Sequence, residues 1–189
     1  GVIAQQIPFL TISSLYSVAT VGYFAIAYKL VTLPTGLIAS AIGDVYRQRI
    51  SVAYSKYGEF SNLFIKTLKR TATIGAFPFL FLFIISPNLF ELVFGQSWRI
   101  AGEYAQLLIV ASFVQFIFTP VDKGAVVVGK TRYVFIWQIS RLFIMITISG
   151  LAHIYQWEFI YYLWSLIIGN IALYLTDIFV EFKISLGNN

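Results

Sequence analysis

VGYFAIAYKLVTLPTGLIASAIGDVYRQR, Val21 to Arg49, is an apolar run of membrane length that carries Lys29 and Pro34 in its interior and ends at Asp44, Arg47 and Arg49. A hydrocarbon core of roughly 30 Å takes about 20 apolar residues to cross as a helix, and this run supplies them. A strongly hydrated ammonium inside such a span is expensive in lipid, so Lys29 marks either a water-filled cavity or a partner charge. The fold class then turns on whether the rest of the chain reads the same way.

It does. Of 189 residues 59% are hydrophobic and only 11% charged, where soluble domains carry about 25% charged residues. So few charges cannot cover that much apolar surface in water, and lipid must be the missing solvent. The chain is expected to be all-α, a polytopic membrane helix bundle. The absence of cysteine excludes disulfide frameworks, thiolate metal sites and cysteine nucleophiles. Gly1 opens inside an apolar segment with no basic leader region, which reads as a truncation of something longer and not as a signal peptide. The net charge of +5 comes from basic residues that punctuate apolar spans. The positive-inside rule explains that pattern better than nucleic-acid binding does.

Taken outward from the opening stretch, Gly1 to Tyr16 is too short to span and carries Pro8, so it counts as part of a helix. Full spans are predicted at about Val18 to Ile42, Thr71 to Phe94, Ala105 to Val121, Tyr133 to Tyr155 and Gln156 to Val180. That makes five full transmembrane helices and part of a sixth. Gly43 to Arg70, with Arg47, Arg49, Lys56, Lys66, Lys69 and Arg70, is predicted to be a basic hairpin at the membrane surface, a solvated topology signal or a specific lipid or partner contact. FGQSWRIAGEY, from Phe94 to Tyr104, is predicted as an external turn and short interfacial helix. Lys123, Lys130, Arg132 and Lys183 fall on the hairpin side and Arg99 alone on the other. This asymmetry places the C-terminus in the cytoplasm.

Nothing in the sequence marks a nucleotide site or a zinc or calcium ligand pattern. No metal or cofactor is expected, and enzymatic function is unsupported. The lone histidine, His153, could act as a general base in a membrane transferase, but it lies at the end of its span with no catalytic partner and reads as an interfacial residue. Glu91, Glu158 and Asp177 sit near span ends, where ionised carboxylates cost little. Lys29, about 16 Å into its helix, lies near the bilayer centre, facing a hydrated cavity or an ion-pair partner. Arg141, roughly 12 Å from its inner helix end, can reach a cavity or snorkel to the headgroups. If both face one cavity they make an anion-attracting lining, and a guanidinium fork suits phosphate. Pro34, Pro78 and Pro120, together with Pro87, are candidate kinks for a gating motion.

VGYFAIAYKLVTLPTGLIASAIGDVYRQRIS, followed by FGQSWRIAGEYAQLL and TPVDKGAVVVGKTRYVFIWQ, resembles the C-terminal half of bacterial polysaccharide biosynthesis proteins. These are the O-antigen and exopolysaccharide flippases (Wzx type) of the multidrug/oligosaccharidyl-lipid/polysaccharide (MOP) exporter superfamily. The resemblance covers essentially the whole chain, and the GY-A-K-L-LP and FG-W-AG patterns carry it. It implies two helical lobes around a cavity that opens alternately to either side, with residues 1–189 as the second lobe, truncated at its N-terminus. It further implies flipping of undecaprenyl-diphosphate-linked oligosaccharides in the bacterial cytoplasmic (inner) membrane, for polysaccharide or lipopolysaccharide assembly. The implied partners are that lipid-linked oligosaccharide, membrane lipid, the first lobe of the same protein and a polysaccharide polymerase. Lys29 falls where such flippases carry a basic residue lining the cavity, often arginine; Arg141 has no equally firm counterpart. Competing readings are a drug or cation exporter of the same superfamily, a transferase, and a scaffold subunit of a polysaccharide assembly complex.

Overall fold

A computed structural model describes residues 2–187 of the chain. Seven helices follow one another: α1 (Val2–Leu15), α2 (Val18–Tyr57), α3 (Ser61–Phe94), α4 (Arg99–Phe118), α5 (Gly124–Val127), α6 (Thr131–Tyr155) and α7 (Phe159–Ser185). No strand occurs among the described residues. α2, α3, α6, α7 and the stretch Gln96–Val127, which contains α4, are long and apolar enough to cross a membrane. The chain is thus an all-helical, multi-pass membrane protein, with α1 as the shorter apolar helix.

Local chemistry sets the helix ends. Ser17 is extended and its hydroxyl accepts the Thr20 N–H at 3.2 Å, capping the start of α2. At the other end Gly58 adopts φ 73°, a left-handed conformation that glycine reaches without steric penalty, and its N–H closes on the Tyr54 carbonyl. Between Gly43 and Gly58 there is no glycine or proline to stop a helix. The predicted surface hairpin is therefore two helical extensions and a tight turn: α2 runs on through it, and α3 begins at Ser61. With 40 residues α2 is about 60 Å long, twice the thickness of a hydrocarbon core.

The FGQSWRIAGEY segment also differs from expectation. Gln96–Trp98 forms a single 3-10 turn, and from Arg99 onward the chain is already α4. Arg99 fixes the turn by donating from Nη1 to Glu91 Oε2 at 2.7 Å and Asn88 Oδ1 at 2.9 Å. Pro34 and Pro78 lie inside uninterrupted helices, whereas Pro120 sits in a 3-10 turn, Thr119–Val121, that ends α4.

α4 is the central helix, packing on α2, α3 and α7. α6 packs on α7 and α1, and α1 also touches α2, so α1, α2, α4, α7 and α6 close a ring with α3 outside against α4. With no hydrophobic drive between helices in lipid, close approach depends on small residues. At Gly102 an added Cβ would stand 2.5 Å from Pro87 Cα, so the backbones of α3 and α4 touch there. One core of buried side chains includes Phe24, Leu108, Met145 and Tyr162; a second, at the hairpin end, includes Tyr46, Ile50, Phe64 and Ile184.

Candidate functional site: a polar pocket inside the ring and a lysine outside it

Each helix of the ring contributes to a cavity of about 90 Å³, in which Tyr28 and Thr32 of α2 meet Gln115 of α4, Arg141 of α6, and Asn170 and Tyr174 of α7. Arg141 is half-buried, and its guanidinium carbon lies 5.7 Å from the centre of the Trp137 ring, close enough for a cation–π contact. Among the described residues the ion pairs are Arg99–Glu91 and Lys123–Asp122; Arg141 has none. A charged guanidinium without a carboxylate partner needs water or an anion, and this volume holds a few waters or one small anionic group. It is too small for a diphosphate carrying sugars.

Lys29 does not share this pocket. It follows Tyr28 on α2 and therefore projects about 100° away around the helix axis. Lys29 is exposed, without an ion pair among the described residues, on a face that continues through Leu33, Ser40, Asp44 and Arg47 at helical spacing. The single lining that would join Lys29 to Arg141 is thus absent: Tyr28 and Thr32 point into the ring, and Lys29 points out of it.

Two carboxylates near the hairpin end take on a larger role than the sequence suggested. Asp177, expected at a span end where charge costs little, is 6% exposed and accepts the Tyr133 hydroxyl at 2.5 Å. Glu181, only 2% exposed, accepts the Ala125 N–H with both oxygens at 3.1 Å, tying α7 to the connector between α4 and α6. Gly124 is required beside it, because a Cβ there would collide with Glu181 Oε2. A sequence signal for this existed: Asn170, Tyr174, Asp177, Glu181 and Ser185 recur every three or four residues along an otherwise apolar helix.

Glu91 is held by Arg99, as described, and the Glu158 carbonyl accepts the N–H groups of Tyr161 and Tyr162 at the start of α7. His153 is exposed in the last turn of α6. Among the described residues no group of three or more His, Cys, Asp or Glu side chains could hold a metal ion.

A family model described as polysaccharide biosynthesis protein matches residues 1–103, just over half of the 189 residues. The match runs from α1 into the start of α4. Lys29, Pro34 and Pro78 fall within it, whereas Arg141 and Pro120 lie beyond it. No curated protein and no solved structure matches the chain.

Proposed function

The chain belongs to the polysaccharide biosynthesis protein family, and on that premise we propose that it forms one lobe of an alternating-access flippase for undecaprenyl-diphosphate-linked oligosaccharides. On this reading it works in the bacterial cytoplasmic membrane with its C-terminus in the cytoplasm, beside a first lobe and a polysaccharide polymerase. It moves a substrate and catalyses no bond change.

The observation that carries the proposal is the exposure of Lys29 at mid-span, without a counter-ion among the described residues. A lysine facing lipid at the bilayer centre costs about 2.5–3.5 kcal/mol on insertion scales. On that face Lys29 is followed by Leu33 and Ser40 within the span and by Asp44 and Arg47 beyond its inner end, and the cost of the unpaired ammonium argues for an aqueous cavity between lobes. A diphosphate crossing the membrane loses hydration, and the Lys29 ammonium offsets part of that loss as the headgroup passes. Arg141 acts from inside the lobe, where its pocket of about 90 Å³ admits a few waters or one small anionic group but not a sugar diphosphate. Pro34 and Pro78 each remove one helical hydrogen bond, which makes α2 and α3 easier to bend during gating; Pro120 marks where α4 can pivot.

Polysaccharide export by cells carrying Lys29→Ala and Lys29→Arg at normal protein abundance tests this. Export should disappear with alanine and survive with arginine, which keeps the charge and adds a phosphate-shaped fork. Undiminished export by the alanine variant would sink the proposal.

A further inference from the structure

α2 and α3 leave their hairpin as neighbours, but α4 packs on both and holds them apart. The crevice between them is divided into two abutting grooves. The one nearer the membrane centre, about 420 Å³, is walled by Pro34, Ile38, Pro78 and Leu82 and floored by Ile109 and Phe116 of α4. The one nearer the hairpin, about 410 Å³, is walled by Ile42 and Val45 of α2 and by Ile74, which belongs to both grooves. At its mouth stand Arg49 and Arg70, both exposed and neither in an ion pair among the described residues. No acidic residue lines either groove. Asp44 borders a different hollow, with Arg47 and Gln48.

An apolar trough that ends in two unpaired guanidiniums has the pattern of a lipid: tail, then phosphate. Depth and direction identify which lipid. The groove nearer the hairpin runs from Ala41 to Arg49 on α2, eight residues or about 12 Å, against about 15 Å for one leaflet of the hydrocarbon core. That groove therefore lies within one leaflet, and the deeper one continues beyond it to Leu89 and Phe90. On the helical wheel Lys29 lies about 140° from Pro34 and 160° from Arg49, so the crevice opens away from the face that carries Lys29 and toward bulk lipid. The arginines stand at the basic end of the bundle, which the positive-inside rule assigns to the leaflet rich in anionic phospholipid.

We propose that this crevice binds an anionic glycerophospholipid of that leaflet. The phosphate is held between Arg49 and Arg70, where a guanidinium can offer two parallel N–H donors, and an acyl chain lies along Ile42, Val45 and Ile74.

The test uses the purified full chain in nanodiscs, with retained lipid counted by native mass spectrometry. Nanodiscs contain phosphatidylglycerol, phosphatidylcholine or undecaprenyl phosphate at defined mole fractions. Wild-type protein should retain phosphatidylglycerol in preference to phosphatidylcholine. Losing two charge-assisted contacts to the phosphate, the Arg49→Gln/Arg70→Gln double variant should lose at least about tenfold in that retention. A Lys56→Gln/Lys66→Gln control, equally basic but outside the groove, should keep it. All four side chains are exposed, so folding is not at stake, and far-UV circular dichroism verifies it. Equal retention by the double variant, an equal loss in the lysine control, or no preference over phosphatidylcholine would each overturn the proposal. So would displacement of phosphatidylglycerol by an equal mole fraction of undecaprenyl phosphate, which would give the crevice to the transported lipid instead.

Discussion

Replacing Glu181 with alanine removes the only acceptor that the Ala125 N–H has among the described residues, two oxygens at 3.1 Å in a site with 2% exposure. A buried donor left unpartnered costs about 1–3 kcal/mol. The vacated side-chain volume, on the order of 50 Å³ at about 24 cal/mol per Å³, adds roughly 1 kcal/mol. The sum is about 2–4 kcal/mol, and at about 2–4 °C per kcal/mol for a chain of this size the apparent Tm should fall by about 5–15 °C. Glu181→Gln keeps an oxygen acceptor and nearly the same shape, so its loss should stay within about 1 kcal/mol, or a few degrees. Thermal unfolding of the purified protein in detergent, followed by circular dichroism, reads both values. Equal losses for the two variants refute the reasoning. If both are small, the bond to Ala125 carries no stability; if both are large, the negative charge matters and the acceptor does not.

Three further outcomes follow from the same packing. Gly102→Ala forces the α3 and α4 backbones apart at Pro87 and should lower stability by about 1–3 kcal/mol; Gly22→Ala, with nothing within 4 Å of the new methyl, should be neutral or gain up to about 1 kcal/mol, both measured by thermal unfolding. Tyr133→Phe strips Asp177 of its hydroxyl donor and should cost about 1.5–3 kcal/mol, whereas Tyr155→Phe, at an exposed ring, should leave the unfolding curve unchanged. Because the chain contains no cysteine, single cysteines can be placed freely: those at Lys29 and Ser40 should react with a membrane-impermeant maleimide in intact membranes, and those at Phe77 and Leu80 on the lipid-facing side of α3 should not.

The spans were legible because hydropathy and charge vary along the chain in the same way as distance from the bilayer centre. The hairpin was less so: a helix that continues out of the membrane has the same basic, mixed composition as a surface loop, and only the absence of glycine or proline between Gly43 and Gly58 tells them apart. The lateral direction of Lys29 was not legible, because apolar residues surround it on every face of α2 and leave no stripe to orient it. Arg141's companions Tyr28, Gln115 and Asn170 come from three other helices, and no spacing within one helix announces them. The burial of Glu181 was hidden for a related reason. Its partner is a backbone N–H of α5, a connector of four residues whose position depends on how α4 and α6 are set.

The central claim rests on Lys29 meeting a diphosphate during its passage, and transbilayer movement in vesicles measures that directly. The chain is reconstituted with its first lobe and a labelled undecaprenyl-diphosphate-linked oligosaccharide, and the rate at which the sugar reaches the opposite leaflet is followed for wild type and Lys29→Ala. Loss of a charge-assisted contact of about 1.5–3 kcal/mol in the rate-limiting state should slow flipping at least about tenfold. A wild-type rate from the alanine variant would contradict the assignment of Lys29 to the substrate path.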